Sequence, residues 1–362
     1  MSNRSFINQL GYVGRVWAGS HLLTGMLPAK TRPLMASLKL TENCQAACVT
    51  CHYWRTRWAD RITTDDAIDL INQLDDCGVK YLRFTGGEPL LRRDLFTILN
   101  RARTVGFRRI SMQTNGLLLK KLHRDINDSP ITRVSVSIDG LEPTNDRIRG
   151  IAGYFQLALE GFSLIKNKEL QLCVTLSRDS IRELASLTQL ARDLGADFAF
   201  NVLDDHMYFT RNIELRDLWP EDGDIKALSR SLQGELDRPP YEVAYIEQYF
   251  RRVTPLPQPP CVQGFMDVII ASNGDVLSGC PGLPPVGNIL NQRLKQIFAS
   301  PSYRQRCVAM VRRECPGCLR GFVTNLKFKH ARPTPKTITA LAARLGGARA
   351  QDSKLRTEEA IQ

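Results

Sequence analysis

Six short β-type runs alternate with longer amphipathic stretches between Met35 and Val202, and few folds accept that pattern. The runs are "MASLKL", "YLRFTG", "RRISMQT", "RVSVSID", "LQLCVTL" and "DFAFNVL". Helical patterns such as "TTDDAIDLINQLDDCG" lie between them, with Thr and Asp where a helix starts and Gly where it ends. Strands joined through helices run parallel, because the crossover returns each strand to the sheet in the same direction. Eight such units close a TIM barrel. Six predict an α/β fold with a partial (β/α)6 TIM-like barrel and helices outside. Parallel α/β folds place their chemistry at the carboxyl ends of the strands.

That end of the first strand carries "ENCQAACVTCHYW", with Cys44, Cys48 and Cys51 inside eight residues. A C-x3-C-x2-C loop can ligate three irons of a cubane and leave the fourth iron without a protein thiolate; complete ligation takes four. Zinc is the alternative, since structural zinc wants four closed ligands and His52 is a nearby candidate for the fourth. Adjacent Cys51 and His52 are poorly placed to bind one ion together.

After Asp204 the alternation breaks. The helical stretch "WPEDGDIKALSRSLQGEL" leads to "TPLPQPP", a linker ending at Pro260. A second Cys-rich module follows, with Cys261, the hairpin-like "MDVIIASNGDVLSGC" turning at Asn273-Gly274, and "CPGC" carrying Cys315 and Cys318. The expected organisation is a basic and apolar extension over 1–34, the barrel over 35–204 and a helical connection with Pro-rich linker over 205–260. The Cys-rich module then spans 261–325 and a basic flexible tail 326–362.

Several segments together resemble the radical S-adenosylmethionine (radical SAM) enzymes. After the C-x3-C-x2-C loop come "TGGEP" (Thr85 to Pro89), "QTNG" (Gln113 to Gly116), "SVSIDG" (Ser135 to Gly140) and "NDRIRG" (Asn145 to Gly150), in order on consecutive βα units. Each alone is an ordinary glycine turn; the series is what carries the resemblance. It implies a [4Fe–4S] cluster on Cys44, Cys48 and Cys51, whose open iron is chelated by SAM. Gly86, Gly87 and Glu88 would then face the SAM ammonium, with Asn115 nearby. Ser137 or Asp139 would bind the ribose, and Arg149 would pair with the SAM carboxylate. Many relatives carry an aromatic residue just before the third cysteine. Here Thr50 stands there, so Tyr53 or Trp54 is expected to contact adenine or to pack over the loop.

Cys261, Cys280, Cys315 and Cys318 resemble the ligands of the SPASM or Twitch modules that follow some of these barrels, implying an auxiliary [4Fe–4S] cluster. Five residues, rather than the usual four, separate Gly274 from Cys280, and no cysteine follows Cys318, so the one-cluster version fits better. A four-thiolate zinc site is the alternative. Of the other cysteines, Cys77 and Cys307 are read as structural or incidental. Cys173 lies within the fifth run, where an inward thiol could return a hydrogen atom to a substrate radical; plain packing is its alternative.

The resemblance implies reductive cleavage of SAM to a 5′-deoxyadenosyl radical, which abstracts hydrogen from the substrate. Oxidation follows if an auxiliary cluster takes an electron; epimerisation follows if a thiol returns hydrogen. It also implies an external electron donor of flavodoxin or ferredoxin type. About 34 residues precede the first strand, short for a leader-binding domain, so a small molecule is expected: a sugar, aminocyclitol, nucleoside or lipid headgroup. A ribosomal-peptide maturase, and a non-enzymatic zinc protein binding nucleic acid, are the alternatives.

Composition narrows the setting. Seven of the ten cysteines fall into two ligand-like groups, not a disulfide framework, which points to a reducing cytoplasm. No apolar run reaches the ~18 residues of a membrane span. The net charge of +12 gathers at the ends: no acid precedes Glu42, and from Lys327 onward eight Lys or Arg stand against three acids. Solvated ends account for this, so no nucleic-acid partner is expected; the segment Phe6 to Leu27 could lie on a lipid surface or pack as a helix.

Overall fold

The structure, a computed structural model, describes residues 30–55, 60–203, 215–253 and 260–315, with 14–16, 18–19, 25, 27 and 28. Most of the Phe6–Leu27 segment, residues 254–259 of the linker, Cys318 and the tail lie outside them.

All six expected strands form: β1 (Met35–Lys39), β2 (Tyr81–Thr85), β3 (Arg109–Thr114), β4 (Arg133–Ser137), β5 (Glu169–Leu176) and β6 (Asp197–Val202). They pair in parallel in chain order. The first crossover helix, α1 (Thr64–Asp76), starts on a capping box between Thr63 and Asp66 and ends before Gly78, whose φ of +83° suits glycine. It buries Ala67, Leu70, Ile71 and Leu74, the helical spacing of one apolar face. Helices α2 (Leu95–Val105), α3 (Leu119–Asp128), α4 (Thr144–Arg149), α5 (Tyr154–Ser163), α6 (Arg178–Arg182) and α7 (Leu184–Asp193) follow the later strands.

Strand alternation divides two environments. In β4, Val134 and Val136 join the core beneath the helices. Ser135 and Ser137 point the other way, and cross-strand bonds on that face show a polar lumen. Ser135 Oγ donates to Gln171 Oε1 at 2.8 Å, Gln113 Nε2 to Ser137 Oγ at 3.0 Å, and Asn201 Nδ2 to Cys173 Sγ at 3.4 Å.

The second module continues the same sheet. Beyond α8 (Asp222–Gly234), α9 (Pro240–Phe250) and the short α10 (Gln263–Met266), strand β7 (Asp267–Ile270) pairs in parallel with the open edge of β1, Met35 opposite Asp267 and Leu38 opposite Ile270. The expected hairpin then forms: β8 (Asp275–Leu277) runs antiparallel to β7, Gly274 takes φ +89° in the turn, and β9 (Gly287–Asn288) completes a nine-stranded sheet. Helices α11 (Leu294–Ala299) and α12 (Pro301–Val311) return against the barrel, where Leu294 N donates to Gln73 Oε1 at 2.8 Å. No described helix is long and apolar enough to cross a membrane.

Candidate active site

The cysteine loop leaves β1 at its carboxyl end, and two neighbouring segments, the connection after β2 and the end of α4, hold its backbone. Gly87 N donates to Thr41 O at 2.8 Å and Glu88 N to Asn43 O at 2.7 Å, which lays the glycine turn after β2 alongside the loop. Both glycines are needed for that approach. A Cβ on Gly86, itself at φ +134°, would lie 2.3 Å from Thr41 O, and one on Gly87 2.2 Å from Asn43 O. From the other side Val49 N donates to Ile148 O at 2.9 Å, and a Cβ on Gly150 would meet Ala47 O at 2.5 Å. Arg92 closes the base: it donates to Leu40 O and Ile62 O at 2.7 and 3.0 Å and pairs with Asp94 at 2.7 Å.

Cys48 is buried; Cys44 and Cys51 are half-buried. Burial pushes the Cys44 thiol up to about 11 and Cys51 up to about 12, the neighbouring thiols adding to both, and burial raises Cys48 as well. Donors face two of the sulfurs: Asn115 Nδ2 lies 3.7 Å from Cys44 Sγ and Arg149 Nη1 3.9 Å from Cys48 Sγ. Among the described residues no three His, Cys, Asp or Glu side chains converge on one ion. Arg149 Nε, on the guanidinium whose Nη1 faces Cys48, is buried without a hydrogen-bond partner, which fits an acceptor bound beside that sulfur. The donor set suits an iron–sulfur cluster, whose irons would displace the thiol protons on binding.

Several expected contacts are redirected. Glu88 does not face outward toward an ammonium. It is wholly buried, its Oε1 accepts from Leu90 N at 3.1 Å and Thr114 Oγ1 at 2.8 Å, and its Oε2 accepts from Asn115 N at 2.7 Å. Burial pushes this carboxyl up to about 7 although all three donors pull it down. Its work is to fasten the turn after β3 to the glycine turn. Glu88→Gln sets an amide N–H against one of those donors and is expected to destabilise the fold by about 1–3 kcal/mol, read by chemical denaturation. Wild-type stability in that variant would show that the bonds carry little.

Asp139 and Arg149 pair with each other at 2.8 Å instead of standing open to a ligand. Asp139 also accepts from Thr175 N at 2.7 Å, so the end of β4 is tied to β5. Ser137 is half-buried on the lumen face with its hydroxyl held by Gln113, which leaves it the better placed of the two ribose candidates. Tyr53 is buried, its hydroxyl bonded by Lys39 Nζ and its ring 5.1 Å from that of His52. Trp54 Nε1 donates to Cys48 O at 2.9 Å. Lys39 escaped the sequence reading, although a lysine inside the apolar run "MASLKL" is the kind of signal that marks a lumen residue.

Cys173 is buried on the lumen face, opposite Ser137 and Ala199 in register. Burial raises its pKa, as does the Asp139 charge, while the Gln113 hydrogen bond and the Arg149 and Arg83 charges act against them. The net shift keeps it a thiol at neutral pH. In the second module Cys261, Cys280 and Cys315 are half-buried, and Cys318 lies outside the described residues. Cys307, read as structural or incidental, is fully buried on α12; burial and nearby Cys261 both raise its pKa. A Cβ on Gly264 would lie 2.8 Å from its sulfur, so it packs under this module's start.

Comparison with known proteins agrees on both parts. The family model described as the Radical SAM superfamily matches residues 38–177, and SPASM, described as an iron-sulfur cluster-binding domain, matches 261–319. An AdoMet-dependent heme synthase of Methanosarcina barkeri is 32% identical over 47% of this chain and 50% of its own length. A probable GTP 3',8-cyclase of Methanothermobacter marburgensis is 36% identical over 32% of this chain and 39% of its own. The chain thus spans about half the length, or less, of these curated relatives. The fold matches that of Streptococcus suis SuiB, solved bound to precursor peptide SuiA, at TM-score 0.58 and 16% identity over 76% of this chain and 67% of that one. It also matches anSMEcpe with bound AdoMet at TM-score 0.55 and 17% identity, over 75% and 82%.

Proposed function

The chain is a radical SAM protein with a SPASM iron–sulfur module, and from that premise we propose that it removes a hydrogen atom from a small polar substrate in the barrel lumen and returns one from Cys173. Its cofactors are SAM with a [4Fe–4S] cluster in the barrel and auxiliary iron–sulfur in the second module. Bound and reduced, SAM and its cluster supply a carbon radical able to take hydrogen from an unactivated carbon. Cys44, Cys48 and Cys51 would hold that cluster, and Cys261, Cys280, Cys315 and Cys318 the auxiliary one. The backbone at Gly86 and Gly87, with Ser137, would orient SAM, and Tyr53 would close the loop over Lys39. Asn115 and Arg149 would support the thiolates of Cys44 and Cys48.

The observation that carries the reading is the position of Cys173, buried on the lumen face opposite Ser137 and bonded by Asn201, beside Gln113. Hydroxyls and amides suit a substrate rich in hydroxyl groups. The Sγ–H bond breaks as a C–H bond forms, and the sulfur radical left behind regains an electron from the external donor and a proton from water. The match to proteins named as a GTP cyclase and a heme synthase supports a small molecule over a peptide.

Turnover of candidate substrates in D2O tests this. Epimerisation by Cys173 puts one deuterium into the product, and Cys173→Ala stops product while 5′-deoxyadenosine still forms. The docked second module favours oxidation as a second reading. An oxidised product, free of deuterium and unaffected by Cys173→Ala, would establish that reading instead.

A further inference from the structure

Two of the loop sulfurs face a nitrogen donor, and the two donors differ in charge. Cys44 faces the neutral amide of Asn115 at 3.7 Å, and Cys48 the guanidinium of Arg149 at 3.9 Å. A full positive charge therefore stands against one sulfur and only a dipole against the other.

That charge is buried and answered. Arg149 Nη2 lies 2.8 Å from Asp139 Oδ2, and both side chains are buried. The contact is ionic, since neither Asp139 Oδ2 nor Arg149 Nε has an aligned hydrogen-bond partner. Each partner is anchored on its own element. Arg149 ends α4, where Gly150, at φ +72°, leaves room for the loop carbonyl of Ala47. Asp139 follows β4; its Oδ1 accepts from Thr175 N at 2.7 Å, and its backbone N donates to Asn145 Oδ1 at 2.9 Å. Both charges reach Cys48, the guanidinium's more strongly than the carboxylate's.

The potential of an iron–sulfur cluster follows the net charge around it and the hydrogen bonds to its sulfurs. One electron taken from the external donor adds one negative charge, so a nearby cation favours the reduced form and a nearby anion the oxidised form. Burial keeps both effects from being screened away.

We propose that Arg149 and Asp139 are an opposed pair that sets the reduction potential of the barrel cluster, Arg149 raising it through Cys48 and Asp139 holding that rise in check. Asp139 is a positioning residue here, acting through the guanidinium it pairs. The proposal rests on Cys44, Cys48 and Cys51 being the ligands, and not on what becomes of a substrate radical.

The test is a redox titration of the anaerobically reconstituted holoprotein, followed by electron paramagnetic resonance without SAM or substrate, with iron counted in every sample. Arg149→Gln should move the one-electron equilibrium of the barrel cluster about tenfold toward the oxidised form, about 59 mV downward. Asp139→Asn should move it in the opposite direction. Arg149→Lys keeps the charge and should stay near the wild-type potential. The auxiliary cluster in the same sample is the internal reference and should move less, because charge effects fall with distance. A structural role would not give shifts of opposite sign. Shifts of one sign in Arg149→Gln and Asp139→Asn, an unmoved potential or lost barrel iron in Arg149→Gln, or an equal shift in Arg149→Lys overturns the proposal. Should Asp139→Asn fail to fold, the two Arg149 variants decide it between them. Wild-type protein holding auxiliary iron alone would remove the ligand assignment and this proposal together, whereas unmoved potentials in iron-replete variants would remove this proposal alone. No turnover is measured, so the hydrogen-transfer reading is judged separately.

Discussion

Alanine at Cys44, Cys48 and Cys51 together is expected to abolish 5′-deoxyadenosine formation while leaving about 4 irons per chain, those of the auxiliary cluster. The expectation rests on how the loop is held. Its backbone is fixed by Gly87 N to Thr41 O, Glu88 N to Asn43 O and Val49 N to Ile148 O, none of which involves a thiol. Losing the sulfurs therefore leaves the loop in place, and Cys48 alone among them sits in the buried core. Iron counting and product analysis after anaerobic reconstitution separate the outcomes. Undiminished 5′-deoxyadenosine would refute the ligand assignment. A colourless wild-type protein without iron would return the site to zinc.

A single methyl group on Gly87 should do nearly as much harm by another route. In Gly87→Ala the new Cβ would lie 2.2 Å from Asn43 O and 2.6 Å from both Asn43 C and Glu42 O. All three are backbone atoms, so no side chain can swing aside, and the cysteine loop must move bodily. Overpacking of this kind costs about 1–3 kcal/mol, and the displacement carries the candidate ligands with it. We expect a lower Tm together with loss of iron from the barrel site. Gly78→Ala is the control: φ is +83° there, yet nothing lies within 4 Å of the added carbon, so only backbone strain of about 1 kcal/mol is expected and iron is retained. Full iron and an unchanged Tm in Gly87→Ala would mean that the two loops are not packed as described.

The six parallel strands were legible because each is packed under helices and alternates toward a polar lumen, as in "RVSVS", where valines and serines take opposite faces. The candidate ligand loop was legible because spacing on one loop is a local property. Orientation was not. "GGE" and "DG" name residue types that suit a cofactor, but whether Glu88 and Asp139 turn toward it or into the core depends on donors from Leu90, Thr114, Asn115 and Thr175. Partnership was equally hidden. "DVII" reads as the start of a hairpin, which it is, but nothing local says that its other edge joins β1. Of the two readings open for Cys307, structural or incidental, the helix face it shares with Tyr303, Met310 and Val311 on α12 favours the structural one.

Strand β7 has a consequence for anyone who would rebuild this protein. Because it is hydrogen-bonded directly to the strand that launches the cysteine loop, the start of the second module is joined to the barrel by the sheet itself and not by a hinge. A chimaera grafting a different C-terminal half onto this barrel has to bring an edge that matches β1, residue for residue from Met35 to Leu38, or the seam will open.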